Sequence, residues 1–380
     1  MSGNFVQRGE PALINKWARA EMALSCGADI VLELPVLYAT RSAYWFARGG
    51  VETLRATGLI THLAFGVETK EPAKLFPAAA LLARETPSFR HNLKAQLKKG
   101  SSYPSARAHA LSLEFGRAAE LWSKPNNVLG LTYLQVLQEI NAPLIPLLIE
   151  RKGADYHEPQ ITPGVSASAA ACRQSLLHAY GSPLDALTGL KGFLPETVVR
   201  ILRREFSGGR GPISLASLSE PLMILLRRTS VKELMELVDI TEGLEQRIAK
   251  LAIQTARPED FLARLKTKRY PYSRLQRFLI HLLLGYTKDK EALLTGGPAY
   301  LRVLGFTAAG RRLLKEMKKT SSLPIITKGA HAQKYAHTDP GITGFWDMDV
   351  LATDLYCLLY PAAAYRKGGE DYRVSPVYIP

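Results

Sequence analysis

Four short segments combine residue types able to handle a phosphorylated ligand. They are Phe65-Gly66-Val67-Glu68, Lys124-Pro125-Asn126-Asn127, Arg151-Lys152-Gly153-Ala154-Asp155-Tyr156-His157, and Ser166-Ala167-Ser168-Ala169-Ala170-Ala171-Cys172-Arg173. The first and third follow β-branched apolar runs, while the second and fourth precede helical patterns. In α/β proteins those are the places where phosphates and nucleosides bind, because strand ends open a crevice and helix starts present free amides. Each candidate also has a plainer reading. Gly66 supplies a turn, or lets an adenine or ribose approach the backbone. Asn126 caps a helix, or touches a ligand. Arg151 forms a surface ion pair, or grips a phosphate with two parallel hydrogen bonds. Ser168 caps its helix, or marks an anion site strengthened by Arg173 one turn on. His157 reads as a structural or loop histidine.

Other chemistries are excluded by the motifs they need. The chain has no Gly-x-x-x-x-Gly-Lys-Ser/Thr, no Gly-x-Gly-x-x-Gly, no His-Glu-x-x-His and no Gly-x-Ser-x-Gly. The usual phosphate loops, zinc proteases and hydrolase elbows therefore have no support. The eight histidines fall in no metal-ligand spacing. Cys26, Cys172 and Cys357 are far apart, which argues against a disulfide framework or zinc site and for a reducing compartment. With no signal-like start and no apolar run approaching a membrane span, the expected location is the cytoplasm.

The elements that must position these segments alternate through the first half. Strand patterns at Ile30–Leu34, Leu63–Phe65 and Leu144–Ile149 are separated by helical patterns at about 42–55, 73–84, 89–99 and 126–140. Such alternation predicts a mostly parallel sheet with helices on its faces. Residues 1–10 read as a loop before an amphipathic helix that opens near Pro11 and stops near Gly27. After about Gly181 strand signals nearly vanish. Late strands are expected at Tyr300–Leu304 and Leu323–Ile326, around a helix at 308–317. At 380 residues the chain is long enough for two units, read as an α/β unit over 1–182 and a mainly helical unit over 183–380 with a small α/β addition.

Charge singles out the second unit. The chain carries 49 Lys or Arg against 34 Asp or Glu, a net +15. Residues 251–330 alone hold 16 basic and five acidic side chains. A solvated helical face would account for such a run. The alternative is an RNA-facing surface, since Lys266, Lys268, Arg269, Arg274 and Arg277 can hold phosphates beside Tyr270 and Tyr272, whose rings can stack on unpaired bases.

Read in order, these segments resemble a known family. Met1-Ser-Gly-Asn-Phe-Val-Gln-Arg-Gly-Glu-Pro-Ala12, Lys16-Trp17-Ala18-Arg19, Asp29-Ile30-Val31-Leu32-Glu33-Leu34-Pro35, Lys98-Lys99-Gly100-Ser101-Ser102-Tyr103-Pro104, Lys124-Pro125-Asn126-Asn127-Val128-Leu129-Gly130 and Lys266-Thr267-Lys268-Arg269-Tyr270 resemble the bacterial tRNA(Met) cytidine acetate ligases, a branch of the HIGH-type nucleotidyltransferases. The resemblance covers nearly the whole chain. It implies a Rossmann-like nucleotidyltransferase fold and a reaction in which acetate and ATP, with Mg²⁺ on the phosphates, form acetyl-adenylate. The acetyl group then passes to N4 of the wobble cytidine of elongator tRNA(Met). It also implies that Gly66, Asn126, Arg151 and Lys152 contact ATP.

Two departures from the family pattern belong with this resemblance. Family members begin with a strand and an Asn-Pro-Phe-His-x-Gly-His loop, and Met1 matches an internal methionine after it. The expected histidines are therefore absent from residues 1–380, and a catalytically inactive RNA-binding remnant is the alternative expectation. At Ser168–Arg173, Ala170 and Cys172 replace the threonine and isoleucine of the superfamily pattern, which removes one hydroxyl donor.

Overall fold

Among the described residues the strands form two sheets and a separate small hairpin, with helices between them. A computed structural model describes residues 1–116, 122, 124–151, 167–177, 182–241, 243–336 and 339–380. In chain order the strands are β1 (Phe5–Val6), β2 (Glu10–Pro11), β3 (Ile30–Glu33), β4 (His62–Val67), β5 (Ile145–Glu150), β6 (Leu301–Thr307), β7 (Ile325–Ile326) and β8 (Val377–Ile379).

Strands β4 and β5 pair in parallel over their whole length, from His62 opposite Ile145 to Val67 opposite Glu150. Two helices contribute to the core beside this pair. Helix Ala43–Ala56 contributes Ala47 and Val51 to the core, and helix Pro125–Glu139 contributes Leu131 and Leu134, against Leu63 and Val67. The second helix comes very close to β4. A Cβ on Gly130 would lie 3.1 Å from both Phe65 and Val67, so only glycine seats the helix there without displacement. Around this core sit the helices Leu75–Ala83, Pro87–Lys98 and Tyr103–Phe115, the last two capped by the Thr86 and Ser102 hydroxyls.

The alternation of strand and helix predicted a shared sheet for all three early strands, yet β3 is placed elsewhere. It pairs antiparallel with β6, whose other edge takes β7 and β8 in parallel. The next helix, Val36–Ala39, is wholly buried with the helical half, in one core with Leu222, Phe261, Phe278, Phe345 and Trp346. Strand β3 is held by a buried ionic cluster as well as by pairing. Lys16 Nζ lies 2.9 Å from Glu33 and 2.8 Å from Asp371, and Arg302 is 3.5 Å from the same Asp371.

Residues 1–11 are ordered by pairing rather than being a plain loop. β1 and β2 form a hairpin, and the Leu34 amide donates to the Met1 carbonyl at 2.8 Å. The following helix starts at Lys16 rather than near Pro11, because Asn15 Oδ1 accepts the Ala18 amide and caps it. Among the described residues no helix is long and apolar enough to cross a membrane.

Candidate functional site

The carboxyl ends of β4 and β5 meet the start of helix Pro125–Glu139, and three of the sequence candidates converge there. Gly66 is the next-to-last residue of β4. Arg151 follows β5, its amide donating to the Val67 carbonyl at 2.9 Å, which continues the parallel ladder by one residue. The Arg151 side chain lies across Gly66: a Cβ on Gly66 would stand 3.2 Å from Arg151 Cγ. The missing side chain thus leaves room for the guanidinium to pass over the strand end, and Arg151 remains exposed.

Asn126 departs from its capping role. The cap position falls on Lys124, which makes no side-chain capping bond, and Pro125 occupies the first turn, where its lack of an N–H costs nothing. Asn126 instead donates from Nδ2 to Glu68 Oε1 at 2.8 Å, and Asn127, fully buried, accepts the Glu68 amide at 2.7 Å. The pair of asparagines clamps the residue after β4 from both its backbone and its side chain. Glu68 Oε2 is shielded from solvent with no hydrogen-bond partner among the described residues. Glu68, Asn127 and Gly130 fall inside the segments singled out in the sequence, but nothing local to them signals the clamp or the close helix–strand approach they make.

Ser168 and Arg173 sit in a different setting. Ser168 Oγ accepts the Ala171 amide at 3.0 Å and so caps helix Ala169–Leu177. Cys172 and Leu176 of that helix pack with Ile14, Ala18, Leu187 and Ile201. Arg173 is committed to the hairpin, 3.3 Å from Glu10 and donating to the Pro11 carbonyl at 3.1 Å. Lys152 and His157 lie outside the described residues. No group of three His, Cys, Asp or Glu able to hold a metal ion occurs among the described residues.

The basic stretch divides into two kinds of residue. Lys266, Lys268 and Arg269 are exposed between the helices Pro258–Leu265 and Tyr272–Leu284. Tyr270 is buried, its hydroxyl donating to the Thr241 carbonyl, so it cannot offer a face for stacking as the sequence suggested; Tyr272 stays exposed. Arg274 lies over the Tyr270 ring, 5.0 Å from its centroid, and donates to the Asp239 carbonyl at 2.8 Å. Arg277 is half-buried, and burial, only partly offset by the Asp239 carboxylate, lowers its pKa to about 10. Arg274 and Arg277 do share a face, but it is half-buried rather than open to solvent. Next to them Arg41 binds Asp239 at 3.0 Å and also Glu291.

Parallel strand ends beside a proline-led helix start, with a glycine overlain by an arginine, form the kind of crevice at which α/β proteins bind ligands. Residues 1–371 match the family model described as HIGH Nucleotidyl Transferase. The chain is 41% identical to the tRNA(Met) cytidine acetate ligase of Syntrophomonas wolfei over 99% of its own length and 91% of that protein. It is 38% identical to the enzyme of the same name from Acetivibrio thermocellus, over 98% and 90%. Among solved structures, that of Thermotoga maritima TmcAL in its apo form superposes with a TM-score of 0.94 at 34% identity, covering 100% of this chain and 91% of that one. The same protein bound with alpha-thio ATP gives 0.92. The chain belongs to the tRNA(Met) cytidine acetate ligase family.

Proposed function

We propose that the chain activates acetate with ATP and acetylates N4 of the wobble cytidine of elongator tRNA(Met). The observation that carries this reading is the convergence of Gly66, Asn126 and Arg151 at the β4–β5 strand ends, in a chain that matches ligases of this name over nearly its full length. An inactive RNA-binding remnant has no comparably specific support.

A cytosine amino group is a weak nucleophile and acetate a poor acyl donor, so the carboxylate must first be activated. An acetate oxygen attacks the α-phosphate of ATP, the bond to the β-phosphate breaks, and pyrophosphate leaves. The N4 amine then attacks the acetyl carbonyl carbon, AMP departs with the carboxyl oxygen it gained, and the amine loses a proton. Both steps need positioning and neutralised phosphate charge more than covalent help from the protein. Arg151 supplies a cation, with Lys152 its neighbour in sequence; Gly66 makes room for the Arg151 side chain to cross the strand end beside the nucleotide; and Asn126 and Asn127 hold Glu68 in place. Mg²⁺, when bound to the phosphates, adds further charge neutralisation. Ser168 and Arg173 join this reading as phosphate contacts if the ligand reaches the hairpin side. The chain then divides into an ATP-binding part over 1–182 and a mainly helical tRNA-binding part over 183–380, with Lys266, Lys268 and Arg269 the phosphate contacts.

The test is transfer of label from acetate to tRNA(Met) in the presence of ATP, with nucleoside analysis of the product. N4-acetylcytidine at the wobble position is the expected result. Labelled tRNA with the acetyl group elsewhere, or no ATP requirement, overturns the reading.

A further inference from the structure

A cleft of about 460 Å³ lies between the two halves of the molecule, within the range on the order of 300–1,000 Å³ that encloses small ligands. Its walls include Tyr44, Tyr103, Arg107, Trp122, Gln135 and Arg277. None of the described lining residues is Asp or Glu. Two of its donors are left over. Arg277 Nε and Trp122 Nε1 are shielded from solvent and have no hydrogen-bond partner among the described residues. Buried donors of this kind are normally paired, and leaving them unpaired is costly. The wall is therefore suited to a ligand that brings acceptors and a flat ring. Tyr103, which is 52% exposed, stands at the rim.

The position of the cleft narrows the choice of ligand. Val128 lines it, two residues along the helix from Asn126, which holds Glu68. The two side chains are about 3 Å apart along the helix axis and project to opposite sides of it. The opposite wall, Ser273 and Arg277, belongs to the helix that follows the exposed Lys266, Lys268 and Arg269. The cleft thus borders both the helix that opens at the candidate nucleotide site and the helix that follows the basic segment.

We propose that this cleft receives one unpaired cytidine of the tRNA, and that Arg277 is the residue that selects it by donating to O2 and N3 of the base. This rests on the function proposed above. Cytosine presents two adjacent acceptors at O2 and N3, matching the planar fork of a guanidinium, and leaves the N4 amine free to react. Uracil carries an N–H at position 3 and would oppose a donor there. Tyr103 offers the ring on which the base stacks, as aromatic side chains do for bases drawn out of a loop.

Binding of anticodon stem-loops of tRNA(Met) with cytidine, uridine or an abasic sugar at the wobble position tests this, measured by fluorescence anisotropy. The parent should prefer cytidine over uridine by roughly fivefold or more, the lower end for a bidentate base contact. Arg277→Lys keeps the charge and loses the fork, so it should bind the uridine loop as the parent does and lose the preference. Tyr103→Leu, at the rim, should weaken the cytidine loop by about fivefold or more and leave the abasic loop unchanged. The cleft assignment is overturned if Arg277→Lys keeps the preference, or if Tyr103→Leu weakens cytidine and abasic loops alike. A parent that binds none of the loops sinks the tRNA reading itself, and the cleft proposal with it.

Discussion

Gly9 rests directly on the backbone of Arg277. A Cβ built on Gly9 would overlap the Arg277 nitrogen and lie 2.6 Å from its Cα, and Gly9 has a φ of +78°. The turn of the N-terminal hairpin is thereby seated on the helix that carries the basic residues, beside the cleft.

Gly9→Ala should therefore destabilise the fold by about 1–3 kcal/mol, through both the strained backbone and the forced separation of hairpin and helix. Chemical denaturation gives the figure. An alanine variant with the parent's denaturation midpoint would mean that the hairpin can lift without cost.

Lys16→Met should be more damaging. Burial disfavours the Lys16 charge, but Asp371 and Glu33 outweigh it and its pKa is raised, so the ammonium is present in the fold. Its removal leaves buried Glu33 without its ion pair and Asp371 with Arg302 alone among the described residues, a loss on the order of 3–5 kcal/mol. Glu33→Gln in the Lys16→Met background should recover part of it; no recovery would show the two side chains to be uncoupled.

His281 makes stability depend on pH. It is fully buried, its Nε2 is 2.8 Å from the Thr40 carbonyl and Nδ1 4.0 Å from Asp239. Burial first, with Arg41 and Arg277 adding, lowers its pKa from 6.5 to about 4 despite Asp239. Between about pH 6.5 and 4 the unfolded chain takes up a proton that the folded chain refuses, so stability falls as pH drops through that window and this contribution is level above it. The shift corresponds to on the order of 3 kcal/mol. His281→Gln should flatten the stability–pH curve over that interval. An unchanged curve would place the titration elsewhere.

At the strand ends, Arg151→Ala should weaken ATP binding about tenfold or more, the scale of a charge-assisted hydrogen bond worth ~1.5–3 kcal/mol. Lys319→Ala is the comparison, an exposed helix-end lysine 2.9 Å from Glu316. Titration calorimetry with ATP reads both. Equal affinities in the two variants would remove Arg151 from the site.

For the exposed basic segment, Lys266→Ala with Lys268→Ala should weaken tRNA binding at low salt. The log–log salt slope should become shallower by roughly 0.7–0.9 for each phosphate that the variant no longer neutralises. The thermal midpoint should hold, since both side chains are exposed. Unchanged slope in the folded variant would make the stretch a solvated face.

Local pieces of this protein are legible in the order of its amino acids. Strand ends at Gly66 and Arg151, the helix opening at Pro125, and the concentration of positive charge in residues 251–330 follow from apolar period, punctuation and composition, which are local properties. The order of the motifs also carried the family. Which pieces meet emerged only from the folded chain. Strand β3 looked like a neighbour of β4, but it pairs with β6, some 270 residues later, because the buried cluster of Lys16, Glu33 and Asp371 and the seat for Val36–Ala39 lie there. Asn126 looked like a cap and became a clamp on Glu68, because Pro125 moves the helix start back to Lys124. Arg277 looked like surface charge and is half-buried with its Nε shielded, because the N-terminal hairpin turn at Gly9 packs on its helix. Periodicity records only that a face is apolar or charged; which partner it meets depends on contacts between residues far apart in the chain, and these exist only in the folded state.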